Sequence, residues 1–117
     1  MALQIAEKKV GPVTVLQLSG RITSGQESIQ LRNKLKTALS DKPQLVLDMA
    51  NVDYIDSSGL GTLVAGFTIA ANQGVHIVLA NINDRLQEQL SITRLVAVFE
   101  SFDSVDAAVK ALERSRR

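Results

Sequence analysis

Nine consecutive residues, Asp53-Tyr54-Ile55-Asp56-Ser57-Ser58-Gly59-Leu60-Gly61, set two carboxylates, two serine hydroxyls and two glycines side by side. They follow a short apolar run and precede a helical pattern. That puts them at the carboxyl end of a strand, where open α/β sheets tend to place their sites. A helix that opens there turns unpaired backbone N–H groups, and the positive end of its dipole, toward the junction. Asp56, Ser57 or Ser58 can satisfy one of those donors as an N-cap. Gly59 and Gly61 go beyond what a cap needs. Each costs about 0.5–1 kcal/mol of helix stability relative to alanine, and each lets another molecule approach the backbone closely. Nucleophilic catalysis by Ser57 or Asp56 would need a general base. His76 is the single histidine, falls in a run expected to be a buried strand, and has no acid placed to complete a Ser-His-Asp triad. The chain is read as a binding module and not as an enzyme.

Other chemistries are excluded by composition. The absence of cysteine removes disulfides, thiolate metal sites and cysteine nucleophiles. One histidine removes multi-histidine metal clusters. Asp48 and Asp53 are the carboxylates that could offer oxygens to Mg²⁺ at a strand end; weighed against the rest, they leave no metal and no cofactor expected. No Gly-x-Gly-x-x-Gly follows a strand, and no Walker-type lysine is present. Tyr54 is the one aromatic expected in an exposed loop, so there is no stacking platform for single-stranded nucleic acid. With 13 basic and 12 acidic residues the net charge is +1, which gives no global attraction to nucleic acid or anionic membranes. The local basic excess, residues 114–117, is expected to be a frayed tail. Charges at Glu7, Lys8 and Lys9 come too early for a signal-peptide core, and no run approaches the roughly 20 apolar residues of a membrane span. A cytoplasmic protein without membrane insertion is expected.

The elements that must position the nine residues can be read from periodicity. Leu3 to Lys9 and Val13 to Leu18 are apolar segments joined by Gly11-Pro12, a hairpin signal. The second alternates with apolar residues on both faces. After Ser24-Gly25, the spacing of Leu31, Leu35, Ala38 and Leu39 predicts a helix with one buried stripe, ending near Ser40 before Asp41-Lys42-Pro43. Gln44 to Met49 reads as a central strand covered on both faces. Gly59 to Asn72 reads as a helix with Leu60, Leu63, Val64, Phe67 and Ala71 inward, broken by Gln73-Gly74. Its outward face would be Gly61, Thr62, Ala65, Gly66, Thr68, Ile69 and Asn72, small or weakly polar residues that suit either a docked partner helix or cover by another part of this chain. His76 to Ala80 is a further strand. Asn83 caps a helix with Leu86 and Leu90 inward, and Val98 to Phe102 is a short strand. The last helix opens at Asp103 as N-cap, with Asp106 in capping-box position and Val105, Ala108, Val109 and Leu112 on one face. The order is β-β-α-β-α-β-α-β-α in one domain spanning 1–117. It predicts an α/β fold with a mixed, mostly parallel sheet of about five strands and about four helices.

Val52-Asp-Tyr-Ile-Asp-Ser-Ser-Gly-Leu-Gly61 resembles the signature of STAS domains, in particular the bacterial anti-sigma-factor antagonists. The similarity extends to Leu18-Ser19-Gly20 at the end of the hairpin, and to a late Leu-x-x-Gln-Leu helix before the strand near Phe99. The resemblance implies regulation of transcription by partner switching. An unphosphorylated antagonist binds an anti-sigma factor that is also a serine kinase; phosphorylation of the first serine of Asp-Ser-Ser-Gly ends the binding, and a serine phosphatase restores it. Carried onto this chain, Ser57 is the phosphate acceptor. The partner surface is Asp56, Ser57, Ser58, Gly59, Gly61, Thr62 and Ala65, with Thr23 and Ser24 beside it. Family members often carry Gly-Glu-Leu-Asp where this chain has Gly20-Arg21-Ile22-Thr23, which changes charge and hydrogen bonding near the acceptor. The same resemblance carries an alternative, a constitutive STAS adaptor in a signalling assembly, with other STAS proteins, or in a membrane transport complex.

Overall fold

A computed structural model describes residues 3–23, 25–40, 44–92 and 100–115, with the side chains of residues 89–92 and 115 left aside. Strands β1 (Gln4–Val10) and β2 (Val13–Ile22) form the hairpin, closing with Val10 opposite Val13. Gly11 occupies the turn at φ +60°, a conformation that favours glycine. The chain continues through α1 (Gln26–Leu39), β3 (Gln44–Ile55), α2 (Ser57–Asn72), β4 (Ile77–Ala80), α3 (Asp84–Ile92), β5 (Ser101–Phe102) and α4 (Val105–Ser115). The five strands lie in the order β1-β2-β3-β4-β5. β1 is antiparallel to β2, and every other pairing is parallel. This is the mixed, mostly parallel α/β sheet expected.

Alternation along the strands builds two cores. Leu16, Leu18, Leu45, Leu47, Met49 and Leu79 point to one face, where Leu31, Leu35 and Leu39 of α1, Leu60 and Leu63 of α2 and Leu86 of α3 cover them. Val13, Val15, Val46, Val78 and Ala80 point to the other, against Ala108, Val109 and Leu112 of α4. Burying a side chain of this size is worth about 1.5–3 kcal/mol. At its far end α4 brings the Glu113 carboxylate over the hairpin turn, 3.8 Å from where a Gly11 Cβ would stand.

Several sequence expectations are corrected. β3 does not end at Met49 but runs to Ile55, because β2 continues to Ile22 and offers it a parallel partner as far as Ile22 opposite Ile55. β4 stops pairing with β3 at Asp48, so the last part of β3 is paired on one side only, which lets polar residues into it. Tyr54 is therefore a strand residue, 41% exposed, and not part of a loop. His76 precedes β4 and is exposed, its backbone N–H 3.3 Å from Gln44 Oε1. On α2, Ala70 is buried and Ala71 is not. Gly66, expected to face outward, is buried, because α1 packs so closely that a Cβ there would come 2.9 Å from Leu35 Cδ1. The last helix is capped by Ser104 and not Asp103: Ser104 Oγ accepts the Ala107 N–H at 3.0 Å. Arg114, expected in a frayed tail, is helical. Asn83 caps α3 as expected, accepting the Leu86 N–H at 2.9 Å. The Leu90 side chain, and Val98 and Phe99 altogether, lie outside what is described.

One ion pair ties β1 to α1. Lys34 Nζ lies 2.8 Å from Glu7 Oε1, and its hydrogen bond and charge hold the Glu7 carboxyl below its ordinary range. A carboxyl held low when folded contributes stability that is present at neutral pH and is lost as the pH falls through its folded value. The pair is partly exposed, so the contribution is small. Urea unfolding of the wild type and of Glu7→Gln is expected to show a gap at pH 7 that closes at acid pH.

Candidate functional site

The ends of β2 and β3 and the start of α2 meet at one pole. Between Gly20 and Arg21 the β2–β3 register slips, leaving Asp53 as the extra residue of β3, exposed at the bulge. Asp56 alone separates β3 from α2. Its extended backbone (φ −101°) lets its Oδ1 accept the Gly59 N–H at 2.8 Å, while its carbonyl accepts the Leu60 N–H at 2.9 Å. Asp56 is thus the N-cap, chosen by the geometry from the three candidates. From the other side, the Asp56 N–H donates to the Ile22 carbonyl of β2 at 3.1 Å. Removing the cap by Asp56→Ala is expected to cost about 1 kcal/mol, read by urea unfolding.

Helix α2 begins at Ser57, which is exposed, with Ser58 exposed beside it. The two hydroxyls differ in their surroundings. Ser58 Oγ lies 3.4 Å from Oγ of Ser28, a buried residue of α1 whose own hydroxyl donates to the Thr23 carbonyl at 2.7 Å. With that proton committed, Ser58 is the donor between the two serines. Ser57 stands free of this chain of hydrogen bonds. Thr23 Oγ1 donates to Glu27 Oε1 at 3.2 Å, so a residue that departs from the family pattern is held by the first turn of α1. Arg21 is exposed, opposite Tyr54 in the register.

The structure thus brings together Asp56, Ser57, Ser58 and Thr23, with Thr62 and Ala65 following along α2; Thr62 Oγ1 donates to the Ser58 carbonyl at 3.1 Å. Gly61 is exposed and open, with nothing within 4 Å of a notional Cβ. Gly59 is different. The open approach expected at its backbone is replaced by an internal one: Gly59 is buried, and a Cβ there would stand 2.1 Å from the Ile22 carbonyl oxygen. Ser24 lies outside the described residues. Ser28 was not expected in the site, although its position seven residues before Leu35, on the buried stripe of α1, was a signal for it. Asp48 is engaged elsewhere, accepting the Ala50 N–H at 3.1 Å and Asn81 Nδ2 at 3.0 Å.

A small α/β domain thus opens a helix with Asp-Ser-Ser-Gly at the end of its central strand and presents the first serine to solvent. Residues 4–108 match the STAS domain family, and the chain belongs to it. It is 24% identical over 116 residues, covering 97% of each chain, to the anti-sigma F factor antagonist of Paenibacillus polymyxa. Among solved structures it resembles an anti-sigma factor antagonist from Mycobacterium paratuberculosis, with a TM-score of 0.84 and 20% identity over 96% of this chain and 95% of that one. It also resembles the Bacillus cell fate determinant SpoIIAA in its phosphorylated form, with a TM-score of 0.70 and 16% identity over 92% of this chain and 99% of that one. Among the described residues, no helix is long and apolar enough to cross a membrane.

Proposed function

We propose that this chain is an anti-sigma-factor antagonist that works by partner switching. It binds an anti-sigma factor with serine kinase activity through the pole around Asp56, Ser57 and Ser58. Phosphorylation of Ser57 ends the binding, and a serine phosphatase reverses it. The observation that carries the reading is the unequal setting of the two serines: Ser57 is exposed at the first position of α2, while Ser58 is engaged with Ser28. The fold supports it as well, since SpoIIAA, a protein of similar fold, has been solved in a phosphorylated form. A helix start is a favourable place for a phosphate, because unpaired N–H groups and the dipole both favour an anion. The domain itself does no chemistry in this scheme; the serine is a substrate of the partner.

The test is to incubate the protein with its candidate anti-sigma kinase and ATP and to read intact mass. One added phosphate is expected on wild type and on Ser58→Ala, and none on Ser57→Ala. Wild type without added mass, or Ser57→Ala still modified, would overturn the assignment.

A further inference from the structure

The cleft between α1 and α2, which leads away from the serine pole, is lined by Arg32, Leu35, Lys36, Thr62, Ala65 and Ile69 among others. It holds about 30 Å³, too little for a metabolite but enough for the tip of one apolar side chain. Its two walls differ in charge. Helix α2 carries no charged residue from Ser57 to Asn72. Helix α1 contributes Arg32 and Lys36, both exposed and one turn apart. Like charges at that spacing disfavour the helix that bears them. Among the described residues neither has an acidic partner, and the ion pairs present join Lys9 and Lys34 to Glu7. Ile29, 48% exposed, stands on the same flank, since residues 29, 32 and 36 fall within about 60° of one another at 100° per residue.

An apolar floor, an uncharged wall and a wall of two uncompensated cations together describe a complementary shape. We infer that the α1–α2 cleft receives an amphipathic helix of a partner protein, its apolar ridge seated between Leu35 and Ile69 and its acidic flank against Arg32 and Lys36. This builds on the partner-binding role proposed above, extends the surface from Ser57 along α2, and adds the partner's chemistry. It follows a general mode of recognition, in which a helix lies in a groove and is read by anchors at i, i+3, i+4 and i+7.

The test uses ¹⁵N-labelled protein and three synthetic peptides of about 18 residues, long enough to be helical. All three share one leucine ridge, flanked by Glu, by Gln or by Lys. The Glu peptide is expected to shift the amides of Arg32, Lys36, Thr62, Ala65 and Ile69 saturably, and to bind about tenfold or more tighter than the Lys peptide at low salt. That preference should shrink at high salt as the charges are screened. Arg32→Glu with Lys36→Glu should reverse it, and Arg32→Gln with Lys36→Gln should level it; a dispersed amide spectrum identifies the folded variants. Equal binding of the Glu and Lys peptides, shifts confined to another surface, or no saturable shift with the Glu peptide would overturn the inference. Phosphorylation of Ser57 by the candidate kinase is a separate readout. If it proceeds while the peptides fail, the cleft assignment falls and the switch stands; the opposite pattern removes the switch and leaves the cleft.

Discussion

Gly59→Ala is expected to lose about 3 kcal/mol or more of stability, while Gly61→Ala, two residues along the same helix, is expected to gain up to about 1 kcal/mol. The two glycines look alike in the sequence and differ in what surrounds them. A Cβ on Gly59 would stand 2.1 Å from the Ile22 carbonyl oxygen, 2.8 Å from its carbon and 2.6 Å from Ile22 Cγ2. Two of these atoms are backbone, so no rotamer change relieves the overlap. Nor can Ile22 withdraw easily, because its carbonyl accepts the Asp56 N–H and its backbone pairs with Ile55. The helix start would have to move, and its cap with it. At Gly61 a Cβ meets nothing within 4 Å, so the substitution mainly removes glycine's entropic cost in a helix. Equilibrium urea unfolding of both variants decides the matter. A Gly59→Ala protein within 1 kcal/mol of wild type would mean that α2 is not seated against β2 as described.

The second large effect is on binding. If the proposed anti-sigma partner binds at this pole, a phosphate on Ser57 is expected to weaken that binding by a few hundred-fold or more, equivalent to about 3–4 kcal/mol. The unfolding midpoint should hardly move. The added group brings a charge of about −1.5 to −2 and three acceptor oxygens. Within the domain it sits where N–H groups and the helix dipole welcome an anion, offset by repulsion from the carboxylates of Asp56 and Asp53. Across an interface it is a strongly hydrated group that must be stripped of water where a small hydroxyl had fitted. Calorimetric titration of the partner with unmodified and Ser57-phosphorylated protein, alongside melting curves, tests both halves. Ser57→Asp, with less charge and fewer oxygens, should fall between the two. Unchanged affinity after phosphorylation, or a modified domain that melts far below the unmodified one, would point to another mechanism.

The fold was largely legible, because its elements carry their periods openly. Leu31, Leu35 and Leu39 declare one helical face, and the run from Gln44 to Met49 declares a strand buried on both sides. Errors gathered where tertiary neighbours decide. Asn51, Asp53 and Tyr54 look like a loop, and only the continuing edge of β2 makes them a strand. Ala70 and Ala71 cannot be ranked from the chain alone; the close approach of α1 at Gly66 selects Ala70. His76 sits next to a buried strand and is itself outside it. Asp103 and Ser104 are both good caps, and the backbone takes Ser104. At the site, the cluster from Asp56 to Gly61 was visible as a motif. The function of its parts was not: Gly59 serves the interior, and Ser28 enters from 30 residues away through its hydroxyl contact with Ser58.

The chain's polarity has a practical side. Helix α4 ends beside the hairpin turn, with Glu113 over Gly11, at the opposite extremity of β2 from Ile22 and the serines. A fluorophore, an immobilising tether or a fused reporter attached behind that helix would hang from the back of the molecule. The pole that carries Ser57 would stay unobstructed, and sensors of occupancy or modification there could be assembled on this scaffold without disturbing what they measure.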